Sequence, residues 1–96
     1  MLQIEAKQYK NLKTVSYTFD DVGVVLPMHN HVDKPETEHI TIVARGSFIM
    51  RGAGWGQTVL CGALIDFEVD QWHEFESLEV NSKLVNVVKI LGEKDV

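Results

Sequence analysis

Apolar and polar positions alternate along much of this chain in short runs with a period close to two residues. Leu2, Ile4 and Ala6 alternate with polar neighbours, and residues 14–19 are rich in β-branched and aromatic side chains. Successive side chains of a β-strand point to opposite faces, so this period is typical of strands with one buried face. No window of about 11 residues carries a helical period. The pattern therefore predicts an all-β protein.

Turn-forming residues separate these runs and mark where the predicted strands end. Gly46 and Ser47 form one predicted turn, and Gly62 forms another. The further predicted strands cover residues 24–31, 38–45, 48–51, 57–61, 64–67, 72–75 and 83–91. Eight or nine short strands with regularly spaced turns predict a sandwich or a barrel. A chain of 96 residues is expected to form a single domain, residues 1–96.

The four histidines of the chain lie at positions that suit a shared site. His29 and His31 are two residues apart, so on a strand they point to the same face, about 7 Å apart. His39 begins the next predicted strand, and His73 lies in a later one. Imidazole nitrogen is a good ligand for divalent transition metals. Four imidazoles gathered from three strands would therefore make a nitrogen-rich metal site.

The spacing around these histidines resembles the first motif of the cupin superfamily, in its small single-domain form. That motif consists of a glycine, five residues, His-x-His, a short gap, a glutamate, six residues and a second glycine. Gly23, His29, His31 and Gly46 match it, and His39 stands where the family usually places glutamate. The gap before His39 is longer than the family's usual three or four residues.

The second cupin motif matches the chain less fully. Gly62 and His73 stand at the family's spacing. Glu68 and Asp70 replace the family's proline and glycine, and Ser77 replaces its asparagine. The resemblance covers most of the chain, and the first motif carries most of its specificity.

This resemblance implies a cupin-type jelly-roll barrel, the double-stranded β-helix, with a metal ion at its mouth or centre. It implies His29, His31, His39 and His73 as the metal ligands. Zn, Ni, Fe, Co or Cu would suit such a site better than Mg or Ca, which prefer oxygen ligands. Four neutral imidazoles leave the metal charge uncompensated, so the site would attract anionic oxygens. Glu36, in the predicted loop, could add a carboxylate ligand.

Two interpretations of function stay open. The resemblance implies a metal-dependent enzyme of dioxygenase, isomerase or lyase type, acting on a small polar or anionic substrate. The alternative is a non-catalytic binding or sensing module, or a scaffold component, with a structural metal. Phe48, Met50 and Phe75 are candidates for the wall of a substrate pocket, with the barrel core as the competing interpretation. Arg45 and Arg51 could hold a substrate carboxylate or simply end a solvated hairpin.

Charge and composition exclude some classes of partner. The formal charge of -5 and the pI of about 5.2 argue against nucleic-acid binding, which depends on a basic surface. The N-terminus lacks the apolar core of a signal peptide, and no apolar stretch approaches the roughly 20 residues that span a bilayer. We therefore expect a cytoplasmic protein. Cys61, the one cysteine, lies in an apolar run and is expected to be buried.

The run at residues 83–91 is apolar on both faces of a predicted strand. One face can fill the barrel, whereas in a single-layer wall the other face would meet water. Such a strand is covered on both sides, or it exposes a patch that marks an interface. We therefore expect a homodimer, since two-fold pairing is the commonest closed assembly and the resemblance implies pairing too. The competing interpretation is that residues 1–6 fold back over the patch.

Overall fold

A computed structural model of the chain describes residues 1–29, 37–67 and 71–90. These residues form nine strands: β1 Leu2–Tyr9, β2 Leu12–Phe19, β3 Val25–His29, β4 Thr37–Arg45, β5 Ser47–Gly52, β6 Trp55–Leu60, β7 Leu64–Ile65, β8 His73–Ser77 and β9 Ser82–Ile90. None of the described ranges contains a helix of the length and apolarity needed to cross a membrane. The prediction of an all-β chain is confirmed.

The strands pair in antiparallel fashion into two sheets. The first sheet has five strands in the order β1-β2-β9-β4-β7, and the second has four in the order β3-β8-β5-β6. The apolar strand β9 therefore lies in the middle of the first sheet, between β2 and β4. Strand β1 extends this sheet by pairing with β2 along its whole length. The N-terminal residues thus lengthen the sheet, and they do not fold over β9.

An apolar core fills the space between the two sheets. The core cluster consists of Phe19, Val43, Phe48, Met50, Val59, Phe75 and Leu84. Phe48 of the second sheet meets Phe19 of the first edge-on, with ring centroids 4.8 Å apart. Strand β8 alternates strictly, since His73, Phe75 and Ser77 are buried while the residues between them are partly exposed. We call the face of each sheet that carries these buried side chains its inner face.

Gly46 joins β4 to β5 and closes the first histidine-containing motif. Its φ of +76° lies in the left-handed region that glycine adopts without steric cost. A Cβ atom at this position would clash with the Oγ of Ser82 at the start of β9. The Ser82 hydroxyl is itself fixed, because it donates to the carbonyl oxygen of Glu79 at 2.9 Å. Both the turn and the close approach of β9 therefore require glycine here.

Cys61 is exposed, so the expectation of a buried cysteine is wrong. It lies in the turn after β6, where its Sγ is 3.6 Å from the carbonyl oxygen of Ala44. The apolar run that it ends does not share one face: Val59 is buried, whereas Leu60 is 64% exposed. The chain then turns at Gly62, with a φ of +96°. An apolar run that crosses a strand end does not predict burial of its last residue.

Candidate functional site

His29 and His73 form a pair in the second sheet. They are cross-strand partners on β3 and β8, and their ring centroids lie 4.4 Å apart at an interplanar angle of 62°. The Nδ1 of His29 donates to the carbonyl oxygen of Pro27, and the Nδ1 of His73 donates to that of Gln71, each at 2.8 Å. Because a carbonyl oxygen only accepts, the neutral rings carry their lone pairs on Nε2. Metal-binding histidines are usually oriented by a hydrogen bond of this kind.

His73 is deeply enclosed. It is 2% exposed, and the ring of Phe67 stacks on it with centroids 3.8 Å apart and an interplanar angle of 2°. Burial lowers the pKa of His73 below the ordinary histidine value, and the hydrogen bond to Gln71 raises it by less. A positive charge on His29 or His39 lowers this pKa further. The imidazole of His73 is therefore held in its neutral form, which is the form that binds a metal.

His39 approaches the pair from the first sheet. It lies on β4 opposite Val88 of β9, which is 8% exposed, so the two share the inner face. Thr41 and Val43 follow on the same face and are buried. The electrostatic effect of His39 on the pKa of His73 agrees with this placement. Three of the four predicted ligands thus face the space between the sheets.

The fourth predicted ligand, His31, lies outside the described residues, as does Glu36. Over residues 1–29, 37–67 and 71–90, no group of three or more His, Cys, Asp or Glu side chains is placed to hold a metal ion. Within these ranges the rings of His29 and His73 are in direct contact, and His39 faces the same space. The complete four-histidine site stays a prediction.

The candidate pocket residues lie in the core. Phe48 and Met50 are 0% and 7% exposed on the inner face of β5. Phe75 shares the inner face of β8 with His73, as predicted, and its ring centroid is 6.3 Å from that of His73. Phe67, which follows β7, is not marked by the sequence pattern, and its ring centroid lies 3.8 Å from that of His73. Of these aromatic residues, Phe67 and Phe75 form the apolar wall beside the histidine.

A set of neutral polar groups lies on the inner face of the first sheet, next to His39. Thr41 Oγ1 donates to Asn86 Oδ1 at 2.7 Å, and the two residues are cross-strand partners. Asn86 also hydrogen bonds the side chain of Tyr17 on β2. Burial raises the pKa of the Tyr17 hydroxyl, and the bond with Asn86 lowers it by less. The sequence pattern does not reveal this set of residues, because only the register of β9 brings its members together.

Both candidate arginines are held away from the histidines. Arg51 lies on the outer face of β5, where its Nε donates to Glu74 Oε2 at 2.9 Å and its Nη2 donates to Glu76 Oε1 at 2.7 Å. Arg45 is exposed at the end of β4, and its Nε donates to the carbonyl oxygen of Asn81 at 2.6 Å. Neither guanidinium faces the interior.

Ser77, which occupies the asparagine position of the second motif, links the two motifs by hydrogen bonds. It is fully buried, its Oγ accepts from the backbone N–H of Val24 at 3.1 Å, and it donates to the carbonyl oxygen of Asp21 at 2.5 Å. Its own carbonyl oxygen accepts from the N–H of Gly23 at 2.8 Å. The replacement thus keeps a hydrogen-bonding group that holds the chain entering β3, the strand of His29.

Comparisons with known proteins support the fold. No protein-family model matches the chain, and no curated protein matches it. Among solved structures, KdgF from Halomonas sp. superposes with a TM-score of 0.78 at 21% identity, covering 98% of this chain and 81% of that one. An RmlC-like cupin protein from Desulfovibrio desulfuricans superposes with a TM-score of 0.76 at 24% identity, covering 92% of this chain and 81% of that one.

A third structure, described as a predicted oxalate decarboxylase from Thermotoga maritima, gives a TM-score of 0.66 at 14% identity, covering 81% of this chain and 65% of that one. At identities this low the likeness concerns the fold alone. It agrees with the two facing antiparallel sheets and with the spacing of the glycines and histidines in the chain. The chain therefore has the fold of a small cupin domain, the double-stranded β-helix.

Proposed function

We propose that this domain binds one divalent transition metal through His29, His31, His39 and His73. The observation that carries the proposal is the pair of His29 and His73, whose rings are 4.4 Å apart and whose Nδ1 atoms both donate to backbone carbonyls. That arrangement leaves the Nε2 of each neutral ring as the ligand atom. Zn, Ni, Fe, Co or Cu fits such a donor set. A bound ion would supply Lewis-acid chemistry, polarising an oxygen or acidifying a water.

The protein's own contribution is to orient the rings of His29 and His73 and to keep His73 neutral. The hydrogen bonds to Pro27 and Gln71 fix the orientation of the two rings. The stacked ring of Phe67 covers one side of His73, which excludes water and lowers the pKa of His73. A ligand that is neutral and already oriented loses less entropy when a metal binds.

The activity that we propose is that of a metal-dependent enzyme of dioxygenase, isomerase or lyase type on a small polar or anionic substrate. The name of one structural neighbour, a predicted oxalate decarboxylase, supports a small anionic substrate. The hydroxyl and amide groups of Tyr17, Thr41 and Asn86 add hydrogen-bonding capacity to the interior. A substrate rich in oxygen atoms would suit these groups.

One observation favours the alternative, a non-catalytic binding or sensing module or a scaffold component with a structural metal. Among the strand residues whose side chains the structure describes, no aspartate or glutamate lies on an inner face. Glu74 and Glu76, the carboxylates next to His73 in the sequence, lie on the outer face and bind Arg51. Acid–base chemistry would then depend on the histidines themselves, or on Glu36, which lies outside the described residues.

Elemental analysis of untagged protein tests the proposal. We expect about one transition metal ion per chain, and its loss or strong depletion in each of four variants, His29→Ala, His31→Ala, His39→Ala and His73→Ala. Thr41→Val is the matched control for metal content, since Thr41 shares the inner face of β4 with His39 and is not one of the four proposed metal ligands. Metal content that is unchanged in both His31→Ala and His73→Ala would overturn the proposal.

A further inference from the structure

Lys13 on β2 is a cationic residue on the inner face of the first sheet. Lys13 is the cross-strand partner of Val88 on β9, and Val88 is in turn the partner of His39 on β4. Directly opposite residues in a sheet lie on the same face. Since Val88 is 8% exposed and faces the core, Lys13 shares its face, and Lys13 itself is partly buried. The three residues form one row across three neighbouring strands.

The dimensions of a sheet place Lys13 within reach of the histidines. Neighbouring strands are about 4.8 Å apart, so the Cα atoms of Lys13 and His39 are separated by about 10 Å. The four-carbon stem of lysine is flexible and packs along apolar surface while its ammonium group seeks a polar partner. Val88, between the two residues, offers such a surface. The ammonium group can thus approach a ligand bound at the histidines.

No other cationic residue of the described strands has this placement. Arg45 and Arg51 form the exterior hydrogen bonds described above. The remaining lysines of these strands lie on the outer face by register: Lys7, Lys83 and Lys89. Among the described residues, no carboxylate forms an ion pair with Lys13. Over the described ranges, the inner face therefore supplies no anionic side chain for Lys13.

We infer that Lys13 holds the anionic group of a small carboxylate ligand whose other oxygen atoms reach the metal bound by the histidines. The inference rests on the proposed function and adds the substrate class to it. An ammonium group and a divalent ion coordinated by neutral imidazoles repel each other at this separation. A carboxylate that lies between the ammonium group and the metal ion would offset both positive charges. The described inner faces contain no anionic side chain that could take this place.

The polar side chains beside the row of Lys13 and His39 restrict the chemical class of the ligand. Thr41, Asn86 and Tyr17 supply neutral hydrogen-bonding groups beside the row of Lys13 and His39. A small dicarboxylate, or a carboxylate that carries a hydroxyl or keto oxygen, would contact the metal and the ammonium group together. An acid with a long apolar tail would place that tail against these polar groups, which costs free energy.

Titration of the cobalt-loaded protein with oxalate, followed through the visible absorption of Co(II), tests the inference. We expect oxalate to bind the wild type and to bind Lys13→Met about tenfold or more weakly, the usual loss when a charge-assisted hydrogen bond is removed. Lys13→Arg should keep most of the affinity, because it keeps the charge. Lys89→Met, which removes an exposed lysine from β9, is the matched control and should bind as the wild type does. Lys13→Gln replaces Lys13→Met if the latter does not fold.

The outcomes separate the inference from the function on which it rests. If Co(II) does not bind the wild type, the proposed metal site fails and the inference fails with it. If Co(II) binds to all the variants, but oxalate binds Lys13→Met as tightly as the wild type or does not bind at all, only the role of Lys13 is overturned. Equal loss of oxalate affinity in Lys89→Met would also overturn it, because a general charge effect would then explain the result.

Discussion

His29 and His73 face each other across the β3–β8 ladder, and each ring is fixed by the same local bond, from its Nδ1 to the carbonyl oxygen two residues earlier in the chain. Those carbonyl groups belong to Pro27 and Gln71. Two strands from distant parts of the sequence thus carry histidine rings that are protonated on Nδ1 and that offer the lone pair of Nε2 when neutral. This is the arrangement from which the proposed metal site is built.

Metal affinity should fall with pH through the histidine range. Ligation requires a neutral imidazole, so protons compete with the metal for each Nε2. We expect the affinity for Zn²⁺ or Co²⁺ to weaken steadily from pH 8 to pH 5 in competition titrations with a chelator of known affinity. A site dominated by carboxylates would keep its metal to lower pH, and an affinity that is flat over this interval would contradict an all-histidine site.

The burial of Tyr17 predicts a loss of stability in alkali. Because burial raises its pKa above the unfolded value of 10.0, the folded chain holds the hydroxyl proton more tightly than the unfolded chain does. Its contribution to the free energy of unfolding is complete below pH 10 and declines as the pH rises through the folded pKa. Urea unfolding at pH 8 to pH 11 should show a smaller alkaline decline in Tyr17→Phe than in the wild type. Tyr9→Phe is the control, since Tyr9 is 74% exposed, and it should leave the decline unchanged.

Replacing Gly46 and Gly54 by alanine, one at a time, distinguishes the cost of a left-handed backbone from the cost of a steric clash. Both have a φ near +77°, at +76° and +78°, but a Cβ would strike Ser82 at Gly46 and would meet nothing within 4 Å at Gly54. Gly54→Ala should lower the free energy of unfolding by about 1–2 kcal/mol, the cost of the left-handed backbone alone. Gly46→Ala should cost clearly more, because the side chain or backbone of Ser82 must also move. Equal losses in urea unfolding would show that β9 does not constrain this turn.

The sequence predicted the strands well, because most of them have one buried face. Alternation at Phe48 and Met50, and at His73 and Phe75, is kept in the structure, and the predicted strand at 48–51 differs from β5 by one residue at each end. The glycine of the first motif, Gly46, was predicted as a turn and forms one. Period and turn chemistry are local properties, so a single sequence carries them.

The pairing and register of strands that are distant along the chain could not be predicted from the sequence. The row from Lys13 to His39 depends on β9 lying between β2 and β4 in one register. The exterior partners of Arg51 depend likewise on the pairing of β5 with β8. Phe67 follows the two-residue strand β7, where no alternation marks the side that it faces. These features follow from tertiary packing, and a local pattern does not encode it.

The outer face of the first sheet supports the prediction of a homodimer. On this face, Val87 of β9 pairs with Ile40 of β4, and Val85 pairs with Ile42. Ile42 also pairs with Leu64 of β7. The five apolar side chains therefore lie on one face of the sheet. Ile40 and Leu64 are 46% and 71% exposed. A contiguous exposed apolar surface of this kind marks an interaction site, and two-fold pairing of identical faces is its commonest use.

Light scattering at micromolar concentration checks this prediction. We expect a mass of about twice 10.9 kDa for the wild type and a monomer or insoluble protein for Val87→Asp. Val88 is unsuitable for this test, because it is buried and its replacement would disrupt the core. Thr18→Asp, on the polar part of the same outer face opposite Lys83, should remain a dimer. A wild-type mass of 10.9 kDa that does not change on concentration would refute the homodimer.

Long-range ¹H–¹⁵N NMR of the histidine rings tests the central claim most directly. In the metal-free protein at pH 8 we expect His29 and His73 to carry a proton on Nδ1, as their bonds to Pro27 and Gln71 require, and no proton on Nε2. Adding one equivalent of Zn²⁺ should shift the Nε2 resonances of both rings to values typical of metal-bound nitrogen and leave Nδ1 protonated. Rings that carry the proton on Nε2, or Nε2 resonances that do not respond to Zn²⁺, would contradict the proposed metal site.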